Sequence, residues 1–217
     1  IKVIPCCADL TLFDSSNVDK KELELLRKRE GLESSFVLCY LGSLGSDYLL
    51  ERMVETFMVL KSIRNNSKFL FISNNGEDQV IKEFDDQKLS KDDLIFRTLA
   101  RKDVPKYLKL ADLSLIYIRP SQSKVGCSPT KLAELLGMGV PVIANSGVGD
   151  LNETLSMEAN NSFCLNSFSI KDMEGSLIKF LDKKIDKKRI RDFALKNFSL
   201  EVGINRYHEV YQSLSLD

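Results

Sequence analysis

Short apolar runs alternate with longer segments of mixed polarity along most of the chain. Six such runs occur, at residues 36–41, 68–72, 94–96, 113–118, 140–144 and 162–165. Their apolar positions are continuous rather than alternating, which is typical of strands that are covered on both faces. The pattern therefore predicts six buried strands.

The segments between and after these runs carry apolar residues at helical spacing. The predicted helices span residues 47–64, 79–84, 104–111, 130–138, 150–157, 170–181, 184–196 and 200–214. Pro105 suits the first turn of one helix, and Gly139 suits the end of another. Repeated strand–helix alternation predicts an α/β fold with a doubly wound, Rossmann-like parallel sheet of about six strands, helices on both faces and right-handed crossovers.

Two segments do not follow this alternation. Residues 1–13 are predicted to be extended, and residues 20–30 (KKELELLRKRE) are predicted to form a charged amphipathic helix. The run at residues 182–191 (DKKIDKKRIR) is strongly basic. We expect it to be a solvated helix face, and contact with anionic lipid is the alternative.

The composition is that of a globular domain with a substantial core. The chain has 217 residues, of which 43% are hydrophobic and 29% charged. Lys+Arg and Asp+Glu both number 31, so there is no net basic field to attract nucleic acid, and no nucleic-acid partner is expected. The chain starts at Ile1 rather than methionine, without a recognisable signal peptide, which fits a piece of a longer cytoplasmic protein.

The cysteine and histidine pattern argues against a metal site. The five cysteines contain no Cys-x-x-Cys pair, and His208 is the single histidine. Free thiols in a reducing cytosol are the expected state.

Two loops after predicted strands contain candidate ligand-binding residues. Gly42, Ser43 and Gly45 lie between the first strand and a helix, where backbone N–H groups favour an anion, although a simple tight turn is the alternative. Thr98 and Leu99 follow the third strand and are candidates for bordering a flat base; an ordinary connection is the alternative.

The loop after the fourth strand is long, polar and basic, and such loops are often functional. We expect Ser128 to cap the next helix, with Pro129 and Thr130 as its first residues. Lys124 and Lys131 would add positive charge beside the free N–H groups and could hold a diphosphate. The alternative is a capped helix with exposed lysines.

A carboxylate follows one turn later on the same helix. Glu134 and Lys131 are three residues apart, and such a pair stabilises a helix by only ~0.2–0.5 kcal/mol. Because most neighbours of Glu134 are apolar, its side chain faces either solvent or a site. In a site it could accept hydrogen bonds from two ribose hydroxyls.

Several stretches together resemble the C-terminal domain of GT-B-fold glycosyltransferases, in the large retaining group 1 type that includes bacterial polysaccharide and lipopolysaccharide transferases. "SPTKLAELLGMGVPVIAN" resembles that group's helix–strand signature, and "YLGSLGSDYLL" resembles its glycine loop near the donor phosphates. "VIPCCADLTLF", "VPKYLKLADLSLIYIRPS" and "FSLEVGINRYHEVYQSL" resemble the crossing segment, the helix and strand before the signature, and the closing helix. The resemblance extends from Val3 to Leu214.

The resemblance implies roles for particular residues. Glu134 would bind the donor ribose, and Thr98 and Leu99 would border the base. The residues near the diphosphate would be Ser128, Pro129, Thr130 and Lys131 on one side and Gly42, Ser43 and Gly45 on the other. The family further implies retention at the anomeric carbon with no obligatory metal and no cofactor beyond the nucleotide-sugar donor, and the catalytic residues are not identified.

The resemblance also implies a division of the chain and of the reaction. Residues 1–34 would be a linker and first helix, residues 35–199 the nucleotide-sugar-binding domain, and residues 200–217 a closing helix that packs back toward an N-terminal domain. That domain would bind a saccharide or lipid-linked acceptor, so this half alone would be nearly inactive. The reaction would take place in the cytoplasm or at the inner face of the membrane.

The chain departs from the family pattern in its charges. Many members carry an acidic pair, but the position eight residues before Glu134 is Gly126. Ser43 stands near the usual place of an arginine, and Lys124, Lys131 and Arg119 are candidates to replace the missing positive charge. A sugar-nucleotide epimerase of the same fold and a non-catalytic nucleotide-binding or interaction module are the alternative functions.

Overall fold

Six parallel strands form one sheet in the computed structural model, which describes residues 2–158 and 162–214. The strand order is β3-β2-β1-β4-β5-β6, so the predicted doubly wound sheet is confirmed. The strands are β1 (Phe36–Leu41), β2 (Ser67–Ile72), β3 (Leu94–Arg97), β4 (Leu113–Ile116), β5 (Val142–Asn145) and β6 (Phe163–Leu165).

Two strands differ from their predicted bounds by two residues at one end, and the other differences are of one residue. β4 ends at Ile116 rather than at residue 118, because the backbone N–H of Ile118 turns to the side chain of Asn145. β5 begins at Val142 rather than at residue 140, after Pro141, which has no N–H for the ladder.

Nine α-helices surround the sheet over the described residues. They are α1 (Lys20–Arg29), α2 (Leu50–Ile63), α3 (Glu77–Asp86), α4 (Val104–Leu108), α5 (Thr130–Gly137), α6 (Leu151–Glu158), α7 (Ile170–Leu181), α8 (Lys187–Phe198) and α9 (Leu200–Leu214). Two begin three residues later than predicted: α2 starts at Leu50, and α8 starts at Lys187 because the Asp186 side chain caps it.

The helices divide between the two faces of the sheet. Val37, Cys39 and Leu41 of β1 point into a core with α1, α4, α5, α6 and α8. The alternate residues of β1 point into a second core with α2, α3 and α7. Burial on both faces is the reason why the strand sequences are continuously apolar.

The segment before α1 packs against α5 and α8. The backbone N–H of Ala8 donates to the carbonyl of Phe198 at 2.9 Å, and Phe13 is fully buried. The prediction of an extended segment up to residue 13 is wrong beyond Ala8, because the Asp9 carboxylate accepts from the amides of Thr11 and Leu12 and closes a turn. Ile1 lies outside the described residues.

Most of the basic run at residues 182–191 is exposed, as predicted, but residues 182–186 connect α7 to α8 rather than forming a helix face, and Arg191 is partly buried. Arg191 donates to the carbonyls of Leu10, Phe13 and Gly137 and pairs with Asp14. These bonds explain the difference, because the guanidinium serves as an internal connector between the N-terminal segment and α5. Lys188 remains exposed and pairs with Asp192.

The closing helix α9 leaves an apolar stripe exposed. Its members recur at intervals of four and three residues and are Leu200, Ile204, Tyr207, Tyr211 and Leu214. Residues 215–217 lie outside the described part of the chain. Across the described residues, no helix combines the length and apolar character needed to cross a membrane.

Candidate functional site

The strand order reverses between β1 and β4, and ligands of open parallel sheets bind at such a point, beyond the carboxyl ends of the strands. A cleft of about 290 Å³ opens there. We call it the central cleft, and its lining residues are Leu41, Gly42, Ser43, Ile72, Ser73, Asn74, Leu99, Arg101, Val104 and Glu134.

The glycine loop after β1 is held by side chains on both sides. The hydroxyl of Tyr40 donates to the carbonyl of Ser43 at 2.7 Å. The amide of Asn75 clamps Leu44, since its Oδ1 accepts from the Leu44 N–H and its Nδ2 donates to the Leu44 carbonyl. The backbone N–H of Ser43 has no hydrogen-bond partner among the described residues. A fixed loop with a free N–H at the cleft is suited to an anion.

Lys131 places a half-buried positive charge against this loop. Its Nζ lies 4.1 Å from the ring centroid of Tyr48 and 4.8 Å from that of Tyr40. Burial lowers the pKa of Lys131 to about 8, although the nearby charge of Glu134 acts in the opposite direction. No carboxylate within the described residues forms an ion pair with it. The tyrosine rings therefore stabilise a cation whose charge is available to a ligand.

Glu134 is a buried carboxylate that faces the central cleft. Its side chain is 8% exposed, and its Oε1 accepts from Nη2 of Arg101 at 2.8 Å. Over the described part of the chain, Oε2 receives no hydrogen bond. Burying a carboxylate with an unused oxygen is costly unless a ligand or water completes it. This oxygen is therefore a candidate ligand contact.

Four predicted site residues line the central cleft: Gly42, Ser43, Leu99 and Glu134. Lys131 is not part of the lining, but its Nζ lies beside Gly42. The hydroxyl of Thr98 instead donates to the carbonyl of Ser73, and Thr98 lines a neighbouring groove with residues 74–79 and Phe96.

The other predicted residues lie away from the central cleft. Gly45 is exposed, with no atom within 4 Å of an added Cβ. Lys124 is paired with Asp47 at 2.7 Å, so its charge is partly neutralised.

The predicted cap by Ser128 is wrong. Helix α5 begins at Thr130 with Pro129 as its N-cap, and no side chain accepts from its first amides. The hydroxyl of Ser128 accepts from the backbone N–H of Cys6 at 3.0 Å, because the N-terminal segment passes beside this turn.

Sequence reasoning did not find Arg101, Phe13 or Asn75. The guanidinium of Arg101 lies 5.1 Å from the ring centroid of Phe13 while it bonds Glu134. These three residues are far apart in the sequence, and the sequence contains no local signal for their contacts.

The position of the missing acid, Gly126, lies in an exposed turn with nothing within 4 Å of an added Cβ. In the described residues, no group of three or more His, Cys, Asp or Glu side chains is placed to hold a metal ion. A larger cleft of about 610 Å³ lies beside the edge strand β6, but the strand reversal, the buried carboxylate and the glycine loop all lie at the central cleft.

Comparisons with known proteins show the family to which the chain belongs. A family model described as "Glycosyl transferases group 1" matches residues 23–197. No curated protein sequence matches the chain.

Three solved structures illustrate the likeness of the fold. A glycosyltransferase from Rickettsia africae ESF-5 is 16% identical with a TM-score of 0.77, over 98% of this chain and 57% of that one. Anabaena Alr3699/HepE in complex with UDP-glucose is 16% identical with a TM-score of 0.74, over 100% of this chain and 57% of that one. This chain therefore spans about half the length of these proteins.

The third structure is itself a single domain. The C-terminal domain of a glycosyl transferase group 1 family protein (LpcC) from Francisella tularensis is 13% identical with a TM-score of 0.59, over 94% of this chain and 98% of that domain. The described fold thus corresponds to one half of a GT-B fold.

Proposed function

This chain belongs to the group 1 glycosyl transferases, and we propose that it is the donor-binding domain of an enzyme that transfers a sugar from a nucleotide-diphosphate sugar. The acceptor would be a saccharide or a lipid-linked saccharide, and the transfer would retain the configuration at the anomeric carbon. Retention is proposed from the resemblance to the retaining group. Alr3699/HepE, a neighbour in fold, binds UDP and UDP-glucose, which makes UDP the first nucleotide to test.

The observation that carries this proposal is the Glu134 carboxylate. It is buried, it lines the central cleft, and its Oε2 has no donor within the described residues. A ribose hydroxyl would supply that donor, and a hydrogen bond to a charged acceptor contributes about 1.5–3 kcal/mol. We therefore assign Glu134 to the ribose of the donor.

The diphosphate would lie between Lys131 and the Ser43 N–H. Below pH 8 the Lys131 amine is mainly protonated, since its pKa is lowered to about 8. As the sugar leaves, negative charge develops on the diphosphate, and fixed positive groups in a partly buried site stabilise that charge most effectively. Lys131 would thus contribute to the rate as well as to binding.

Leu99 would border the base, because it lines the central cleft and lies in the loop that follows β3, directly after Thr98. Thr98 would act indirectly, by fixing that loop to the carbonyl of Ser73. We propose no direct donor contact for Gly45, Lys124, Ser128, Pro129 or Thr130, which lie outside the cleft lining. Lys131 also lies outside the lining, but its Nζ adjoins Gly42, which is part of it.

The acceptor site would belong to a second domain. The chain covers 57% of the length of its two-domain structural neighbours. The exposed stripe of α9, with Ile204, Tyr207 and Tyr211 each more than half exposed, is the apolar surface on which that domain would pack. The linker and closing-helix roles of residues 1–34 and 200–217 are part of the same proposal.

The proposed reaction would take place in the cytoplasm. All five cysteines carry free thiols in the structure, which fits a reducing compartment. Contact with the inner face of a membrane would rest on the basic residues that stay exposed around the start of α8, such as Lys188.

The proposal is tested by calorimetric titration of the chain with UDP, GDP and ADP. We expect one nucleotide to bind selectively, and Glu134→Gln to weaken it at least tenfold, or ~1.4 kcal/mol. Glu24→Gln on the exposed face of α1 is the matched control and should bind like the wild type. Equal affinity of the wild type and Glu134→Gln, or no binding of any of the three nucleotides by the folded chain, would contradict the assignment.

A further inference from the structure

We propose that Arg101 is a positioning residue that fixes the Glu134 carboxylate and thereby makes the site selective for a ribose with free hydroxyl groups. This inference rests on the proposed donor-nucleotide function. Arg101 would hold Oε1, so that Oε2 stays turned to the central cleft. It would act through Glu134 rather than by touching the nucleotide.

The Glu134 carboxylate has one side-chain anchor. Nη2 of Arg101 is the sole side-chain donor to its carboxylate among the described residues. Glutamate has three rotatable side-chain bonds, so an unanchored carboxylate would populate several orientations. A bond to one oxygen fixes the direction of the other.

The Arg101 side chain is itself held in place. Its guanidinium lies 5.1 Å from the ring centroid of Phe13, which is fully buried. Asp9 also lies close enough to interact electrostatically with Arg101, but the Asp9 carboxylate accepts from Thr11 and Leu12. Arg101 thus hydrogen-bonds Glu134 and not Asp9, and the Phe13 ring attracts the guanidinium by a cation–π contact.

Arg101 lies close in the chain to the residue expected to border the base. It begins the short helical turn Arg101–Asp103, two residues after Leu99. The segment expected to border the base thus also anchors the carboxylate expected to bind the ribose. The contact of Leu99 with the base and that of Glu134 with the ribose would thus both depend on the backbone of residues 99–101.

A second role is compatible with the same ion pair. The Arg101 side chain is 62% exposed, so it could cover Glu134 and compete with the nucleotide. The two roles predict opposite effects when Arg101 is replaced. Loss of an anchor weakens nucleotide binding, whereas loss of a competitor strengthens it.

The test measures binding of UDP and of 2′,3′-dideoxy-UDP by the wild type, Arg101→Gln and Arg101→Lys. The wild type should prefer UDP at least tenfold. Arg101→Gln should bind UDP about fivefold to tenfold more weakly than the wild type does. Its affinity for the dideoxy nucleotide should fall less than twofold, because that nucleotide has no ribose hydroxyl for Glu134. Arg101→Lys keeps the charge but not the planar fork, so its UDP affinity should lie between those of the wild type and Arg101→Gln. Lys102→Ala, an exposed neighbour, is the matched control.

Each outcome has a defined meaning. Equal losses for both nucleotides, tighter UDP binding or an unchanged UDP preference in Arg101→Gln would overturn the positioning role while leaving the ribose assignment of Glu134 intact. A wild type without preference for UDP over the dideoxy form would refute that assignment and, with it, this inference. If Arg101→Gln melts at a lower temperature than the wild type, Arg101→Lys is used in its place. A preference of Arg101→Lys for UDP over the dideoxy nucleotide equal to that of the wild type would then overturn the proposal.

Discussion

A Cβ atom at Gly42 would lie 2.6 Å from the Nζ of Lys131. Gly42 also has a φ of +128°, in a region that side chains rarely adopt. The missing side chain therefore allows both the turn after β1 and the approach of the half-buried Lys131 cation to that turn. This contact joins the glycine loop to helix α5, which are about ninety residues apart in the sequence.

Gly42→Ala is expected to displace the Lys131 side chain and strain the loop. The strain should lower the free energy of unfolding by about 1–3 kcal/mol. UDP binding should weaken at least tenfold, because the cation is pushed from its position. Gly45→Ala, where an added Cβ meets no atom within 4 Å, is the control. Chemical denaturation and calorimetry measure the two effects, and equal behaviour of both variants would contradict the explanation.

Binding of UDP is expected to weaken as the pH rises through about 8. Burial lowers the pKa of Lys131 to about 8, so in the free protein its amine loses its proton around that pH. Only the protonated Lys131 amine binds the diphosphate. The UDP affinity is therefore greatest well below pH 8 and falls about tenfold from pH 7 to pH 9.

The control variant Lys131→Arg should lose most of this pH dependence, because a guanidinium stays charged over the whole range. Isothermal titrations at several pH values provide the comparison. A wild-type affinity that does not change between pH 7 and pH 9 would show that Lys131 does not bind the diphosphate.

Asn75→Ala is expected to release the glycine loop. The variant loses both hydrogen bonds to Leu44, each worth about 1 kcal/mol. The Leu44 amide should exchange its hydrogen faster, and UDP affinity should fall about threefold to tenfold, because a more mobile loop must be ordered on binding. Asn65→Ala on an exposed turn is the control for loss of an asparagine side chain. Unchanged exchange at Leu44 would rule out the clamp.

Arg191→Leu is expected to destabilise the whole chain without a direct effect on the site. It removes the guanidinium donor from three backbone carbonyls and from Oδ2 of Asp14, whose Oδ1 keeps its bonds from Ser16. The expected loss in the free energy of unfolding is about 3 kcal/mol. Lys188→Ala breaks an exposed pair one helical turn away and should change stability by less than about 0.5 kcal/mol. Denaturant titrations of the two variants should differ clearly, and a similar midpoint would refute the connector role.

Gly126→Glu is expected to be tolerated and to alter sugar recognition. An added Cβ at this exposed turn meets no atom within 4 Å, so stability should change by less than about 0.5 kcal/mol. The new carboxylate occupies the family's missing acidic position and could accept hydrogen bonds from the sugar of the donor.

The variant should therefore gain about threefold to tenfold in affinity for UDP-glucose relative to UDP, or roughly one hydrogen bond. Gly126→Gln, which lacks the charge, should gain less. If Gly126→Glu has the same ratio of UDP-glucose to UDP affinity as the wild type, residue 126 lies away from the sugar.

The sequence alone determined the class of fold and predicted the edge of the sheet at which the candidate site lies. Continuous apolar runs such as Phe36–Leu41 indicate strands buried on both faces, and this property depends only on local sequence. The glycine loop and Glu134 were also predictable, because strand ends in a parallel sheet meet at one edge and their loops must gather there.

The partners of these residues were decided only by the tertiary structure. The contacts of Lys131 with Tyr48, of Glu134 with Arg101 and of Leu44 with Asn75 join segments that are separated by 31 to 83 residues. Their formation depends on the strand order and on how each helix packs on the sheet. For the same reason the sequence did not show that the Ser128 hydroxyl accepts a hydrogen bond from the backbone N–H of Cys6. A short segment can specify which element it forms, but the partner of a buried charge is set by packing across the whole domain.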